Sequence, residues 1–255
     1  MSFVLPACGD AEVTSAEALF VVPDSLGELS EATFFDHPYP SDLRVEGGKV
    51  RVLGYPNPRE VPLLDEYISF IDGQLDGFSP VAAGFARFSA PIDEATLPDP
   101  DEAQRASGSV QLIDIDPASP EVGQRRPIYV TFRAEAGVYW QPNTLSFMPV
   151  PGFPLRPRTR YAFVATDALQ TTFGSTVAQS ETLAQVVGVS TAQAPAVRAL
   201  ADRWASAVSA VEAAGVAKER IVHFSVFTTN DPTEEYVAAA EAMPAAIEAP
   251  TADPT

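Results

Sequence analysis

The stretch "RPIYVTFRAEAGVYW", Arg126 to Trp140, decides the fold class. Its first half alternates between two kinds of side chain, with Ile128, Val130 and Phe132 set against Tyr129, Thr131 and Arg133. A period of two is the pattern of a β-strand with one face in the core and the other in water. The stretch therefore predicts a half-buried strand, and its surroundings indicate what kind of sheet the strand belongs to.

Further strand-like segments flank this one. They are "VAAGFARFSAPID" (81–93), "SVQLIDID" (109–116), "NTLSFMPV" (143–150) and "TRYAFVATDAL" (159–169). The last two are separated by "PGFPLRPR", whose prolines cannot donate to a strand ladder. Because turns rather than helices connect the segments, an antiparallel arrangement is favoured over a parallel one. The sequence predicts a mainly β fold, an Ig-like antiparallel β-sandwich with a helical C-terminal addition.

Three helices are predicted outside this strand-rich region. Segment 61–79 places Leu64, Tyr67, Ile68 and Ile71 at helical spacing and ends near a glycine. Segment 195–215 begins with proline, ends with glycine and carries Val197, Leu200, Trp204, Val208 and Val211 on one face. A third helix follows Asp231 in a capping-box pattern.

Smaller signals complete the division of the chain. Gly47 and Gly48 predict a tight turn before a strand, and "RIVHFSVFTT" (220–229) predicts a buried strand. We divide the chain into a truncated lipoprotein signal and tether (1–33), an Ig-like region containing the 195–215 helix (34–231), and a short helix with a linker tail (232–255).

Composition limits the classes of partner. The chain has 34 acidic and 16 basic residues and a formal net charge of −18. Such a surface repels phosphate backbones, so no nucleic-acid partner is expected. Twenty-four prolines and few lysines are typical of a secreted or envelope β domain. A bacterial cell-envelope or extracellular location is therefore expected.

The only cysteine, Cys8, follows "FVLPA" and precedes glycine, an arrangement that resembles a bacterial lipobox. Such a cysteine is the lipid attachment site after the signal peptide is cut, and it would tether the protein to a membrane surface. The alternative is an inert cysteine near the N-terminus. One cysteine cannot form an internal disulfide. No run of about 18 apolar residues predicts a membrane span.

A search for catalytic motifs assigns no catalytic, cofactor-binding or metal residue. Ser79 and Ser190 lack the second glycine of a G-x-S-x-G elbow, and His223 lies within an apolar strand. The two histidines are far apart in sequence and form no zinc motif. The acidic loops at 72–77, 97–102 and 113–121 lack EF-hand spacing and are interpreted as solvated turns. No cofactor is expected, although a carboxylate pair could escape detection.

The segment "FFDHPYPSDLR" (34–44) is interpreted as structural. Its two prolines fix an extended backbone that lacks two donors, as suits a docked loop. Phe34, Phe35 and Tyr39 are predicted to bury against the sandwich, and the Ser41–Asp42 pair is predicted to close a local turn. His37 has no nucleophile within its motif.

Several phrases occur in an order typical of one family. "HPYPSDL" (37–43), "LDGFSP" (75–80), "ARFSAPIDEATLP" (86–98) and "FSVFTTND" (224–231) resemble the N-terminal domain of bacterial extracellular lipases of the virulence-factor type. "PGFPLRPRTRYAFVATDAL" (151–169) resembles a stretch of those proteins and of bacterial Ig-like repeats. The resemblance implies an Ig-like domain that precedes an α/β-hydrolase domain, in which the catalytic residues of that family lie.

The sequence therefore predicts the non-catalytic N-terminal region of a lipase-like hydrolase, acting as an envelope lipoprotein scaffold or substrate-positioning domain. Its partner would be a hydrolase domain, in cis or in trans. One alternative is a free-standing module that binds a glycan or protein through Tyr55, Tyr139 and Trp140. Another is a hydrolase with an unrecognised site.

Overall fold

The computed structural model describes residues 15–28, 30–52 and 54–242. Residues 1–14 of the predicted signal and tether, which include Cys8, and the tail 248–255 lie outside the described residues. The strands are β1 (Ala16–Glu17), β2 (Val45–Glu46), β3 (Lys49–Val50), β4 (Gly84–Arg87), β5 (Val110–Asp114), β6 (Ile128–Arg133), β7 (Thr144–Pro149), β8 (Arg160–Thr166), β9 (Val177–Ala178) and β10 (Ile221–Thr228). The α-helices are α1 (Pro62–Ile71), α2 (Glu181–Val186), α3 (Pro195–Ala213) and α4 (Glu234–Ala242).

Two three-stranded antiparallel sheets form the centre of the fold. One has the order β10-β8-β5 and the other the order β4-β7-β6. The strand predicted from the opening stretch is β6, in which Ile128 and Phe132 are buried and Tyr129, Thr131 and Arg133 are exposed. The antiparallel prediction is thus confirmed for both sheets.

The sheet β10-β8-β5 is buried on both faces. In β8, Tyr161, Phe163 and Ala165 belong to the core shared with the other sheet, whereas Ala162 and Val164 belong to a second core under the helices. Successive β8 side chains therefore point alternately into the two cores, because neighbouring residues of a strand face opposite sides of the sheet. Between the sheets, the rings of Phe147 and Phe163 stack with centroids 4.1 Å apart.

Helices α2 and α3 cover the outer face of this sheet. The predicted apolar face of α3 is confirmed, since Val197, Leu200, Trp204, Val208 and Val211 are all buried. The Trp204 ring meets Phe224 of β10 edge-on at 5.5 Å. The fold is therefore mixed, in three layers, whereas the sequence predicted a mainly β domain with the helix as an addition. The reason is that β10 follows α3 and returns to the sheet edge, so the helix becomes a layer of the core.

The smaller predicted elements are also present. The hairpin of β2 and β3 turns at Gly47 and Gly48, whose φ values of 60° and 78° lie in the left-handed region that favours glycine. Helix α4 begins at Glu234, and the Asp231 carboxylate accepts hydrogen bonds from the N–H and hydroxyl of Thr233. Within the described ranges, no helix is long and apolar enough to cross a membrane.

Candidate functional site

The segment 34–44 docks onto the sheets as predicted. Phe34 and Phe35 are buried in a short 3₁₀ helix, Phe34–Asp36, and Tyr39 is partly buried. The Tyr39 ring stacks on Phe85 of β4 at 4.9 Å with the planes 7° apart, and Phe78 meets it edge-on at 5.6 Å. Edge-on and offset aromatic pairs of this kind add about 0.5–1.5 kcal/mol each beyond the buried area.

The polar residues of this segment bind the end of β10. The Asp42 carboxylate accepts hydrogen bonds from the Thr228 N–H at 2.9 Å and the Thr228 hydroxyl at 3.1 Å. The Ser225 hydroxyl donates to the Pro40 carbonyl. Burial raises the Asp42 pKa, while its bonds to Thr228 act in the opposite direction. The predicted local turn is made by Ser41, whose hydroxyl accepts from the Leu43 N–H, and Asp42 instead reaches across the fold.

The phrase "LDGFSP" meets the same strand end. The Phe78 N–H donates to the Thr228 carbonyl, and the Asn230 N–H donates to the Phe78 carbonyl, both at 2.9 Å. A Cβ on Gly77 would lie 2.6 Å from the Asn230 nitrogen, so the glycine permits this approach. We name the contacts of 37–43 and 75–80 with 224–231 the junction.

The segment 151–169 joins the junction from the other side. The Thr229 hydroxyl donates to the Arg156 carbonyl at 2.5 Å, and the Thr159 N–H donates to the Thr229 hydroxyl at 3.0 Å. The Leu155 N–H donates to the Pro80 carbonyl at 3.0 Å. The junction therefore brings residues of segments 37–43, 75–80, 151–169 and 224–231 together in three dimensions.

Both histidines are buried, each only 1% exposed. His37 Nδ1 lies 3.1 Å from the Val21 carbonyl, and burial together with the charge of Arg44 lowers its pKa to about 4. His223 stands between Phe20 and Phe163, and burial lowers its pKa to about 3. Within the described part of the chain, neither ring nitrogen of His223 has a hydrogen-bond partner. Both rings are therefore neutral at neutral pH. His223 packs among core aromatic rings, whereas His37 lines a cavity of about 280 Å³ with Asp24 and Glu46.

The serines considered as nucleophiles take local roles. The Ser190 hydroxyl donates to Glu181 at 3.0 Å, and the Ser79 hydroxyl accepts from the Val81 N–H at 3.4 Å.

Carboxylates of the acidic loops form hydrogen bonds within the protein. Asp72 binds Arg51, and Asp114 accepts from the Ser119 hydroxyl. Among the described residues, no cluster of three or more potential metal ligands occurs.

The aromatic residues proposed for ligand binding are partly brought together. Tyr139 and Trp140 line a cavity of about 160 Å³ with Phe35. Tyr55 packs edge-on against Phe34 at 5.3 Å instead. The Trp140 ring already carries the Arg133 guanidinium at 4.5 Å and has Gly137 against it, where a Cβ would come within 2.1 Å. Arg133 and Gly137 therefore cover much of the Trp140 ring, which leaves less of it for contact with a ligand.

Sequence reasoning missed two features. The Arg44 guanidinium is buried and lies 4.1 Å above the Phe34 ring, and burial lowers its pKa to about 10. Tyr67, predicted among the apolar positions of α1, points outward and is 59% exposed. Leu63 and Phe70 share its exposure, at 57% and 74%. Residues 63, 67 and 70 repeat the i, i+4, i+7 spacing of the core-facing residues 64, 68 and 71, so the spacing alone does not indicate which of the two sets faces the core.

Comparison with known proteins gives no identification: no model of a known family matches the chain, and no curated protein is significantly similar to it.

Proposed function

We propose that this chain is the non-catalytic N-terminal region of a lipase-like hydrolase in the bacterial cell envelope. In this role it positions a catalytic hydrolase domain, in cis or in trans, or presents the substrate to it. The observation that carries the proposal is the junction, in which phrases that lie far apart in sequence and resemble those of the lipase N-terminal domain bind one another. Asp42 and Thr228, for example, are 186 positions apart.

The packing of the sheets supports an Ig-like assignment for the β part. Two antiparallel sheets face each other across a common apolar core that contains Leu112, Phe147 and Phe163. Such face-to-face packing is the architecture of β-sandwich domains. In this proposal α2 and α3 are an additional layer on the sheet β10-β8-β5.

Esterase assays test the proposed role. The purified full chain is expected to hydrolyse p-nitrophenyl butyrate no faster than buffer, because among the described residues no ring nitrogen of either histidine is hydrogen-bonded to a serine hydroxyl that it could activate. When the chain is added to a separately expressed hydrolase domain of the extracellular lipase type, it is expected to raise the rate on an emulsified ester. Hydrolysis by the chain alone that a serine-directed inhibitor abolishes would overturn the non-catalytic role. No effect on the hydrolase domain would remove the positioning role.

We also propose that Cys8 is the lipid attachment site. The support is its sequence context, because the residue lies outside the described ranges. In a bacterial host that processes lipoproteins, the full chain expressed behind a lipoprotein signal peptide is expected in the membrane fraction, and Cys8→Ala is expected in the soluble fraction. A Ser190→Ala variant is the matched control and should fractionate like the wild type. Retention of Cys8→Ala in the membrane fraction would exclude this anchor.

The alternative of a free-standing binding module is favoured by one observation, the cavity beside Tyr139 and Trp140. A ligand that enters this cavity would change the Trp140 environment. Titration with soluble glycans, followed by tryptophan fluorescence in wild type and Tyr139→Ala, distinguishes the alternatives. A saturable change that the variant loses would favour the binding module, and its absence favours the hydrolase role.

A further inference from the structure

The cavity that His37 lines is formed where the segment before the docked loop meets the start of strand β2. It has a volume of about 280 Å³ and is lined by residues of segments 22–26 and 43–46 together with the His37 ring. His37 is only 1% exposed, whereas Asp24 and Glu46 are exposed to solvent. The cavity therefore combines a buried imidazole with carboxylates in contact with water. We name it the His37 cavity.

The His37 ring has one nitrogen left to bind a ligand. Its Nδ1 lies 3.1 Å from the Val21 carbonyl oxygen, and because a carbonyl oxygen only accepts, Nδ1 carries the proton and Nε2 is an acceptor. Within the described part of the chain, the buried Nε2 has no hydrogen-bond partner. Burial, and after it the charge of Arg44, lowers the His37 pKa to about 4, so Nε2 keeps its lone pair at neutral pH. A donor that entered the cavity would remove the penalty of leaving this acceptor unpaired.

The carboxylates at the cavity give it negative charge. Among the described residues, the Asp24 carboxylate forms no hydrogen bond or ion pair, and the Asp24 N–H donates to the Glu28 carboxylate at 3.2 Å. Glu46 is already paired with Arg51 at 2.7 Å. Asp24 is therefore the carboxylate whose charge is most available to a ligand.

Apolar side chains complete the wall of the His37 cavity. Val22 and Leu43 pack against the core under the helices, and Val45 packs against the core between the sheets. The chain before the docked loop is held in place by the Val21 N–H, which donates to the Asp36 carbonyl at 2.9 Å. The fold itself therefore supports this wall, which offers contact to a short hydrocarbon chain.

Acceptors beside an apolar wall match a primary ammonium group on a short carbon chain. An ammonium group has three N–H donors and no acceptor, and its charge is opposite to that of Asp24 and to the net charge of −18. A bare metal ion would use the acceptors but leave the apolar wall without a partner.

We propose that the His37 cavity binds a primary ammonium group, which donates to His37 Nε2 and pairs with the Asp24 carboxylate. A free small amine and the side chain of a lysine share this chemistry. The inference does not depend on the proposed function, because it involves neither an ester nor a hydrolase domain.

Isothermal titration calorimetry of the full chain with n-butylammonium at neutral pH tests the proposal. Saturable binding with a millimolar Kd is expected, since the ligand has few atoms. Asp24→Asn is expected to weaken binding at least about tenfold, because it removes the charge that pairs with the ammonium group. Asp101→Asn is the matched control: it removes an exposed carboxylate that lines a different cavity, and it should bind like the wild type.

Two further measurements test the role of His37. The n-butyltrimethylammonium ion keeps the charge and the carbon chain but has no N–H donor, so it should bind at least about tenfold more weakly to the wild type. His37→Phe keeps an aromatic ring without an acceptor and should lose the same preference. Circular dichroism and thermal unfolding establish that this variant is folded, and the trimethylammonium comparison needs no variant at all.

The source of the ammonium group is assigned by a second titration, with Nα-acetyl-lysine amide. Tighter binding than that of n-butylammonium would indicate a lysine of a partner protein, and weaker binding a free amine. No saturable binding of either ligand, equal binding by Asp24→Asn, or equal binding of the trimethylammonium ion would each overturn the proposal. Binding of Zn²⁺ without binding of an amine would assign the acceptors to a metal ion instead. Each of these failures leaves the esterase tests of the proposed function unaffected.

Discussion

Lowering the pH from about 7.5 to about 5 is expected to reduce the free energy of unfolding by about 4 kcal/mol, or about 2 kcal/mol for each histidine. Burial lowers the folded-state pKa of His223 to about 3 and that of His37 to about 4, from an ordinary value of 6.5. Below pH 6.5 the unfolded chain takes up protons that the folded chain does not. Stability due to the neutral rings is therefore complete above pH 6.5 and is lost as the pH falls toward the folded values.

Urea unfolding at a series of pH values measures this loss. His223→Phe keeps an aromatic ring in the pocket and removes one titration, so its stability should change with pH by about half as much as that of the wild type. The quantity compared between the two proteins is the change of stability with pH, because the substitution also changes packing and therefore the absolute stability. Asp42, whose pKa burial raises, acts in the opposite direction and limits the loss. Equal stability of the wild type at the two pH values would contradict the burial of the neutral rings.

Phe163→Ala is expected to lower the free energy of unfolding by about 3–5 kcal/mol, the cost of truncating a buried phenylalanine without collapse of the cavity. Phe163 is fully buried, stacks on Phe147 at 4.1 Å and lies 5.3 Å from the His223 ring. Its loss removes the central contact between the two sheets. Chemical denaturation monitored by circular dichroism gives the value.

Phe173→Ala is the matched control for this substitution. Its ring is 61% exposed, so truncation should change stability by no more than about 0.5 kcal/mol. If the two variants unfolded at the same denaturant concentration, the two sheets would not share a packed core. A change in the denaturant slope of Phe163→Ala alone would instead indicate a less compact native state.

The elements of this fold were predictable where one side of a segment faces water. The alternation in β6 and the apolar face of α3 are examples, because water selects polar residues on the exposed side. In β10 every residue but the last is buried, so "IVHFSVF" is a nearly unbroken apolar run. Such a run has no polar–apolar alternation that would show what packs on each face of the strand. For that reason the sequence identified a buried strand but not the helical layer that packs on it.

The candidate sites were less predictable, because their contacts are not local. The aromatic side chains of the 34–44 segment predicted a docked loop, and Phe34 and Phe35 are indeed buried. Nothing near Asp42 in sequence indicates its bond to Thr228, which depends on the path of the whole chain. The outward direction of Tyr67 likewise depends on which neighbours of α1 the core happens to reach.

The position of β10 has a consequence for how the chain is made. This strand forms one edge of its sheet and supplies the partner of both β8 and Asp42, yet it is among the last described residues to be synthesised. Until residues 221–228 have emerged, the edge of β8 remains unpaired and the 34–44 segment lacks the strand that holds it. Exposed sheet edges and apolar surfaces of this kind invite aggregation. We therefore expect the nascent chain to depend on chaperone protection until β10 has emerged.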